Sequence, residues 1–164
     1  MNKVLSRSEA IQAVKLDQEE GLKVVFTNGC FDLVHIGHKR YLQQAKECGD
    51  KLLIGVNTDA SVRRLKGDER PIVSEELRAE FLTALTCVDY VVLFDEDTPL
   101  ELITALSPNV LVKGGDYNLD TIVGADIVRA TEGEVKVLSF VEGISTTTLY
   151  EKIWNLMNKS TWKQ

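Results

Sequence analysis

Five short apolar stretches alternate along the chain with longer segments of helical character. Residues 23–27 form a continuous apolar run, as expected of a strand covered on both faces, and residues 51–56, 88–94, 110–113 and 134–140 supply four more candidate strands. Residues 8–20 read as a polar, moderately amphipathic helix packed on the outside of the domain, the main part of an N-terminal helical extension over residues 1–20. A second helix covers residues 37–48 and ends at Gly49-Asp50. A third opens at Ser74, its expected cap, and sets Leu77, Phe81, Leu82 and Leu85 on one side. A fourth starts at Thr98-Pro99, with proline at its first position, and runs to about Leu106. Residues 120–131 are largely helical, weakened by Gly124, and residues 145–158 form the last helix. Residues 57–73 read as a long polar connection, basic in its middle.

This alternation predicts an α/β fold: a Rossmann-like open parallel five-stranded sheet with helices on both faces, in a single domain over residues 1–164. Nothing repeats at a fixed period, and no low-complexity linker divides the chain. Ligands of such sheets bind beyond the carboxyl ends of the strands, where the strand order switches direction. The most polar, glycine-rich segments, residues 28–38, 113–117 and 142–148, all follow strand ends. A ligand site is expected there.

Composition narrows the partners. The chain is 44% apolar and 27% charged, ordinary for a soluble globular protein. A net charge of −6 argues against nucleic acid or an anionic membrane surface as partner, so an anionic substrate must meet a local cluster of cations. Cys30, Cys48 and Cys87 form no C-x-x-C pair, which argues against a disulfide framework or zinc knuckle and for a reducing cytoplasm. The start lacks the apolar core of a secretion signal, and no stretch is long enough to span a bilayer. The expectation is a soluble cytoplasmic protein.

Asn28-Gly29-Cys30-Phe31-Asp32-Leu33-Val34-His35-Ile36-Gly37-His38 follows the first strand and runs into a helix. A helix start offers unpaired backbone N–H groups and the positive end of its dipole, which suits an anion. His35 and His38 share a face of the first turn, and Gly37 lets an anion approach the backbone. Helix-capping or core histidines are the bland alternative; it loses weight because both histidines of the chain fall in this one motif. Zinc binding by the pair lacks a third and fourth ligand at suitable spacing. Asp32 either helps orient a metal-bound anion or hydrogen-bonds its own backbone. Cys30 and Phe31 read as packing residues. Ser145, Thr146, Thr147 and Thr148 open the last helix with a second anion cradle or a plain serine cap. Arg63, Arg64, Lys66 and Arg70 form either a solvated face or a cover for an anion. Lys113-Gly114-Gly115-Asp116-Tyr117 is either a tight turn or a contact loop.

Residues 29–38 match the G-x-F-D-x-x-H-x-G-H signature of the nucleotidyltransferase superfamily, and Ile144-Ser145-Thr146-Thr147 resembles its I-S-[ST]-T element. Thr27–Asp32, Arg64–Asp68, Asp97-Thr98-Pro99, Leu111–Tyr117 and Ser145–Thr147 together resemble the D-glycero-β-D-manno-heptose 1-phosphate adenylyltransferase branch, over about residues 20–154. That branch is the adenylyltransferase half of the bifunctional heptose enzyme of lipopolysaccharide synthesis. The resemblance implies strand order 3-2-1-4-5, with the loop at residues 113–117 opposite the histidines. It implies transfer of AMP from ATP, with Mg²⁺, to the heptose 1-phosphate, giving ADP-heptose and pyrophosphate.

The same resemblance assigns catalytic roles to His35, His38 and Lys66. It assigns nucleotide contacts to Thr27, Asn28, Gly29, Cys30, Phe31, His35, Gly37, His38, Arg78, Lys113, Gly114, Gly115, Ser145, Thr146 and Thr147. Acceptor contacts fall to Asp32, Lys66, Lys113, Asp116 and Tyr117, and no protein ligand to the metal is implied. The family form carries Arg-Thr where Phe140-Val141 stands here, so Arg78 or Arg129 is the expected replacement for the missing arginine. No sugar-kinase domain is attached, so a separate kinase would supply the acceptor, and a homodimer is a candidate assembly. Two alternatives stay open: a cytidylyltransferase acting on a polyol phosphate such as glycerol 3-phosphate, and a non-catalytic nucleotide-binding module. A dehydrogenase or P-loop kinase is disfavoured, because neither G-x-G-x-x-G nor G-x-x-x-x-G-K-[ST] occurs where it should.

Overall fold

The computed structural model describes residues 3–115, 118–139 and 146–158. Its strands are β1 (Val4–Leu5), β2 (Val24–Gly29), β3 (Lys51–Asn57), β4 (Tyr90–Phe94), β5 (Val110–Gly114) and β6 (Glu134–Leu138). Its helices are α1 (Arg7–Glu19), α2 (Ile36–Lys46), α3 (Asp59–Lys66), α4 (Glu75–Thr83), α5 (Leu100–Leu106), α6 (Ala125–Ala130) and α7 (Thr146–Asn158). The strands form one sheet in the order β1-β4-β3-β2-β5-β6, with every pairing parallel.

Five strands and their order agree with expectation, and β1 adds a sixth at the edge. Two residues are too few to show a sequence period, so β1 exists only because Val4 and Leu5 find Val91 and Val92 beside them. Capped by the reciprocal Ser6–Glu9 box, α1 buries Ala10 and Val14 in the core. The N-terminal segment is therefore knitted into the sheet.

Alternate residues of each strand serve opposite faces. Val24, Phe26, Leu53, Val92 and Leu111 face α1, α5 and α6, while Val25, Leu52, Ile54, Val91 and Val110 face α2 and α4. The near-continuous apolar strands follow from this double burial. Among the described residues, no helix is long and apolar enough to cross a membrane.

Three local expectations need correction. Part of the polar connection at residues 57–73 is helical: α3 is capped by the Thr58 hydroxyl, which accepts from the Ser61 amide at 3.2 Å. Its last turn carries Arg63, Arg64 and Lys66, where cations complement the helix dipole. Only Ser61 and Val62 of it are buried, too small an apolar stripe to show as a period. Pro99 caps α5 instead of occupying its first turn, and the Ser74 hydroxyl makes no cap hydrogen bond.

The larger correction concerns which side of α4 faces inward. Leu82 is buried and Leu85 packs against the core as the stripe expects, but Leu77 and Phe81 are 57% and 51% exposed, and Arg78 and Ala79 are buried in their place. Arg78 is 1% exposed. Its Nε donates to Val73 O at 2.9 Å, its Nη1 to Cys30 O, and its Nη2 to Asn57 O and Asp59 Oδ1, both at 2.8 Å. A guanidinium so fully satisfied tolerates burial, and these bonds set the rotation of α4 against the strand ends.

Removing that group would strand the Asp59 carboxylate and three carbonyls. Arg78→Ala is expected to lower the unfolding free energy by about 3–5 kcal/mol, measured by urea denaturation.

Candidate active site

The chain runs from β2 outward through β3 to β4, then crosses to β5 on the other side of β2. The switch point lies between the carboxyl ends of β2 and β5, and a cleft of about 490 Å³ opens there, within the usual size of a small-molecule site. Asn28, Gly29, Cys30, Phe31 and Asp32 line it from the end of β2, His38 from α2, and Lys113 and Gly114 from β5. Leu65 and Lys66 reach it from the end of α3, and Thr146 from the start of α7. The Phe31 backbone has a φ of 49°, a left-handed turn that swings the chain out of β2 toward the helix. Its ring packs 5.6 Å from that of His38.

His35 and His38 cap α2 reciprocally. His35 Nδ1 accepts from the Gly37 amide at 3.1 Å, and His38 Nδ1 accepts from the His35 amide at 3.3 Å. This is a capping box built from imidazoles in place of the usual hydroxyl and carboxylate. A nitrogen that accepts cannot carry the proton, so each neutral ring holds its hydrogen on Nε2. The rings lie 4.1 Å apart. His38 lines the cleft and His35 stacks beside it, outside the lining. The bland and the chemical readings of the pair are therefore compatible: the capping bonds leave Nε2–H free on both rings. Burial, with the neighbouring His35 second, pushes the His38 pKa down to about 4, and burial lowers that of His35.

Two lysines supply positive charge. Lys113 donates to Asn28 Oδ1 at 3.0 Å, and burial lowers its pKa. Among the described residues its side-chain partner is a neutral amide, so the ammonium gains from an arriving anion. Lys66 is exposed at the rim, with no salt bridge among the described residues. The acids nearby are paired instead: Asp32 with Arg70, Asp59 with Arg78, and Asp97 with Arg64.

Several expected contacts lie elsewhere. The Thr27 side chain is fully buried and bonded to the Tyr41 hydroxyl at 2.6 Å. Arg78 is spent inside the protein, and Arg129 on α6 donates to Leu119 O at 3.4 Å, away from the cleft lining. Gly115 is buried in a turn with φ of 117°, its amide donating to Leu138 O at 2.9 Å. Gly37 contributes its amide to the cap, and Thr147 is exposed on α7 outside the lining. Asp116, Tyr117, Phe140, Val141 and Ser145 lie outside the described residues.

Asp32 follows neither of its two sequence readings. It is 2% exposed and accepts from Arg70 Nε at 2.8 Å, from the Ile72 and Val73 amides, each at 3.0 Å, and from the Tyr150 hydroxyl at 2.6 Å. Its partners are roughly 40 and more residues away, so no local pattern announces them. Burial alone would raise its pKa; the hydrogen bonds from Tyr150, Val73, Ile72 and Arg70 hold it below the usual carboxylate range. Sequence reasoning assigns no contact to Tyr41, Asn57, Leu65, Asp97, Thr98, Pro99 or Val123, which also line the cleft. Asn57 ends β3 beside β2, a position the strand-end rule could have flagged. Among the described residues, no three His, Cys, Asp or Glu side chains gather to hold a metal ion.

The cytidylyltransferase-like family profile matches residues 26–153. The chain is 53% identical over 152 residues to the bifunctional protein HldE of Citrifermentans bemidjiense, covering 93% of this chain and 31% of that protein. It is 56% identical over 140 residues to the protein of the same name from Geobacter sulfurreducens, covering 85% and 29%. The chain thus spans about a third of the length of the curated relatives it matches. The crystal structure of the lipopolysaccharide core biosynthesis protein from Thermoplasma volcanium superposes with a TM-score of 0.60 at 27% identity, covering 76% of this chain and all of that one. Pantothenate synthetase from Thermus thermophilus superposes with a TM-score of 0.63 at 14% identity, covering 91% and 67%, a likeness of fold alone.

The lowered His38 pKa has a consequence for stability. Unfolded histidine titrates near 6.5 and folded His38 near about 4, so between those values the unfolded chain binds more protons. Stability from this group is complete above pH 6.5 and is lost as pH falls toward 4. Urea denaturation over that window should show the wild type losing more stability than His38→Asn, which keeps an acceptor for the His35 amide and does not titrate. Parallel curves would show that His38 titrates normally.

Proposed function

Because the chain belongs to the cytidylyltransferase-like family of nucleotidyltransferases, we propose that it transfers AMP from ATP to D-glycero-β-D-manno-heptose 1-phosphate, releasing pyrophosphate. Identity above 50% to the HldE proteins and likeness to a lipopolysaccharide core biosynthesis protein support this branch over a polyol phosphate cytidylyltransferase. The acceptor's phosphate oxygen, ionised near neutral pH, attacks the α-phosphorus in line. A new P–O bond forms as the bond to the bridging oxygen breaks, and pyrophosphate leaves with that electron pair. No strong general base is needed.

The protein's task is to hold the reactants and to meet the negative charge that grows on the α-phosphoryl oxygens and the leaving group. The observation that carries the reading is His38, which lines the cleft with a capping bond that leaves its Nε2–H to donate, and His35 stacked beside it. Donors fixed before the reaction need no reorganisation during it. In this reading His38 and His35 serve the α-phosphoryl oxygens, Lys113 and Lys66 the phosphates, and Thr146 the far end of the triphosphate. Mg²⁺ arrives as part of the metal–nucleotide substrate.

A sugar kinase would supply the acceptor, and the substrates are small molecules in the cytoplasm. A homodimer is the proposed assembly, supported by the exposed apolar side chains of Leu77 and Phe81 on α4 and Ile153 and Trp154 on α7.

Incubation with ATP and the heptose 1-phosphate, reading pyrophosphate, is expected to show turnover; CTP with glycerol 3-phosphate should not support it. Turnover with CTP alone would overturn the adenylyl assignment, and ATP binding without pyrophosphate would favour a binding module. His38→Asn keeps the cap and loses Nε2–H, so turnover should fall by about 10²–10³-fold while the thermal midpoint at pH 7.5 changes little.

A further inference from the structure

Asp32, Arg70 and Tyr150 come from three separate segments and meet beside the cleft. Asp32 follows β2, Arg70 lies between α3 and α4, and Tyr150 sits on α7. The Tyr150 hydroxyl and Arg70 Nε donate to the same oxygen, Asp32 Oδ2, at 2.6 and 2.8 Å. The guanidinium of Arg70 also lies 3.9 Å from the centre of the Tyr150 ring, a cation–π stack that closes the triangle. Burial first, and the bond to Asp32 second, raise the Tyr150 pKa, so the phenol keeps its proton and stays a donor.

α7 is otherwise shallowly held, since none of its described residues is buried. A helix with so little packing takes its position from its few specific anchors. One turn before Tyr150 stands Thr146, which lines the cleft, and Lys66 lines it just ahead of the segment that carries Arg70. The triangle is thus where three cleft-forming segments are joined.

We propose that Tyr150 is a positioning residue: through Asp32 and Arg70 it holds the first turn of α7, and with it Thr146, against the cleft at the spacing a nucleoside triphosphate requires. The inference rests on reading the cleft as a triphosphate site. Tyr150 touches no reacting atom. Without its hydroxyl, Asp32 keeps Arg70 and two amides, so the loop after β2 stays formed while α7 loses its bond to that loop.

Tyr150→Phe tests this, because it keeps the ring on Arg70 and removes only the hydroxyl. Hydrogen–deuterium exchange needs no catalysis; it should show amides of residues 146–150 exchanging about tenfold faster, with β2 and α2 unchanged. In the pyrophosphate assay, KM for ATP should rise about tenfold with kcat changed by less than about twofold. Arg70→Met should act in the same direction, and the double variant should fall short of the product of the two. Unchanged exchange at residues 146–150 in both variants would overturn the proposal. So would faster exchange spread over the whole chain with a lowered thermal midpoint, the mark of a merely structural role. If the wild type releases no pyrophosphate with any nucleotide, the reading of the reaction fails, and the exchange measurement still decides whether Tyr150 holds α7.

Discussion

Arg78 gives its Nε and both Nη atoms to oxygens from the end of β2, the end of β3, the start of α3 and the loop before α4. Taking a guanidinium out of water costs several kcal/mol, and that cost is met only while all four acceptors stay where they are. The carboxyl end of the sheet therefore behaves as one unit. If any of the four segments moved, an unsatisfied charge or carbonyl would be left in the interior. The cleft inherits its shape from this constraint, since Cys30 and Asn57, two of the acceptors, also line it.

The same device sets the local electrostatics. The chain carries a net charge of −6, yet among the described residues Asp32, Asp59 and Asp97 near the cleft are each held by an arginine. Lys113 and Lys66 have no carboxylate partner among the described residues, and the imidazole of His38 adds a donor beside them. A positive cleft thus arises in an acidic protein by neutralising its acids rather than by accumulating bases. Burial strengthens His38 and Lys113 as donors, because a weakly screened N–H or ammonium acts on an anion in a lower dielectric than water.

Much of this was legible in the residues themselves. Apolar runs separated by helical segments follow from backbone geometry, and they marked five strands and the helices between them in nearly the right places. The site announced itself because a strand end, a glycine and two histidines three residues apart have a local meaning at a helix start. What stayed hidden was non-local. The two-residue strand β1 and the short helix α3 carry too few apolar positions to show a period. The apolar stripe of α4 grouped Leu77 and Phe81 with Leu82 and Leu85, yet only the latter two turn inward, because a distant set of carbonyls draws Arg78 into the interior.

Sequence alone therefore determined the class of fold and singled out His38, Lys66 and Lys113, which the structure brings to the switch-point cleft, since each reading depends on residue type and spacing along one segment. Tertiary structure decided which charges are spent within the protein and which face the cleft. Arg78, Asp32 and Thr27 look like binding residues in the sequence and prove to be internal ties; Tyr150, silent in the sequence, joins α7 to the rest. The physical reason is that a polar group's role depends on the partner that satisfies it, and partners tens of residues apart meet only after the chain has folded.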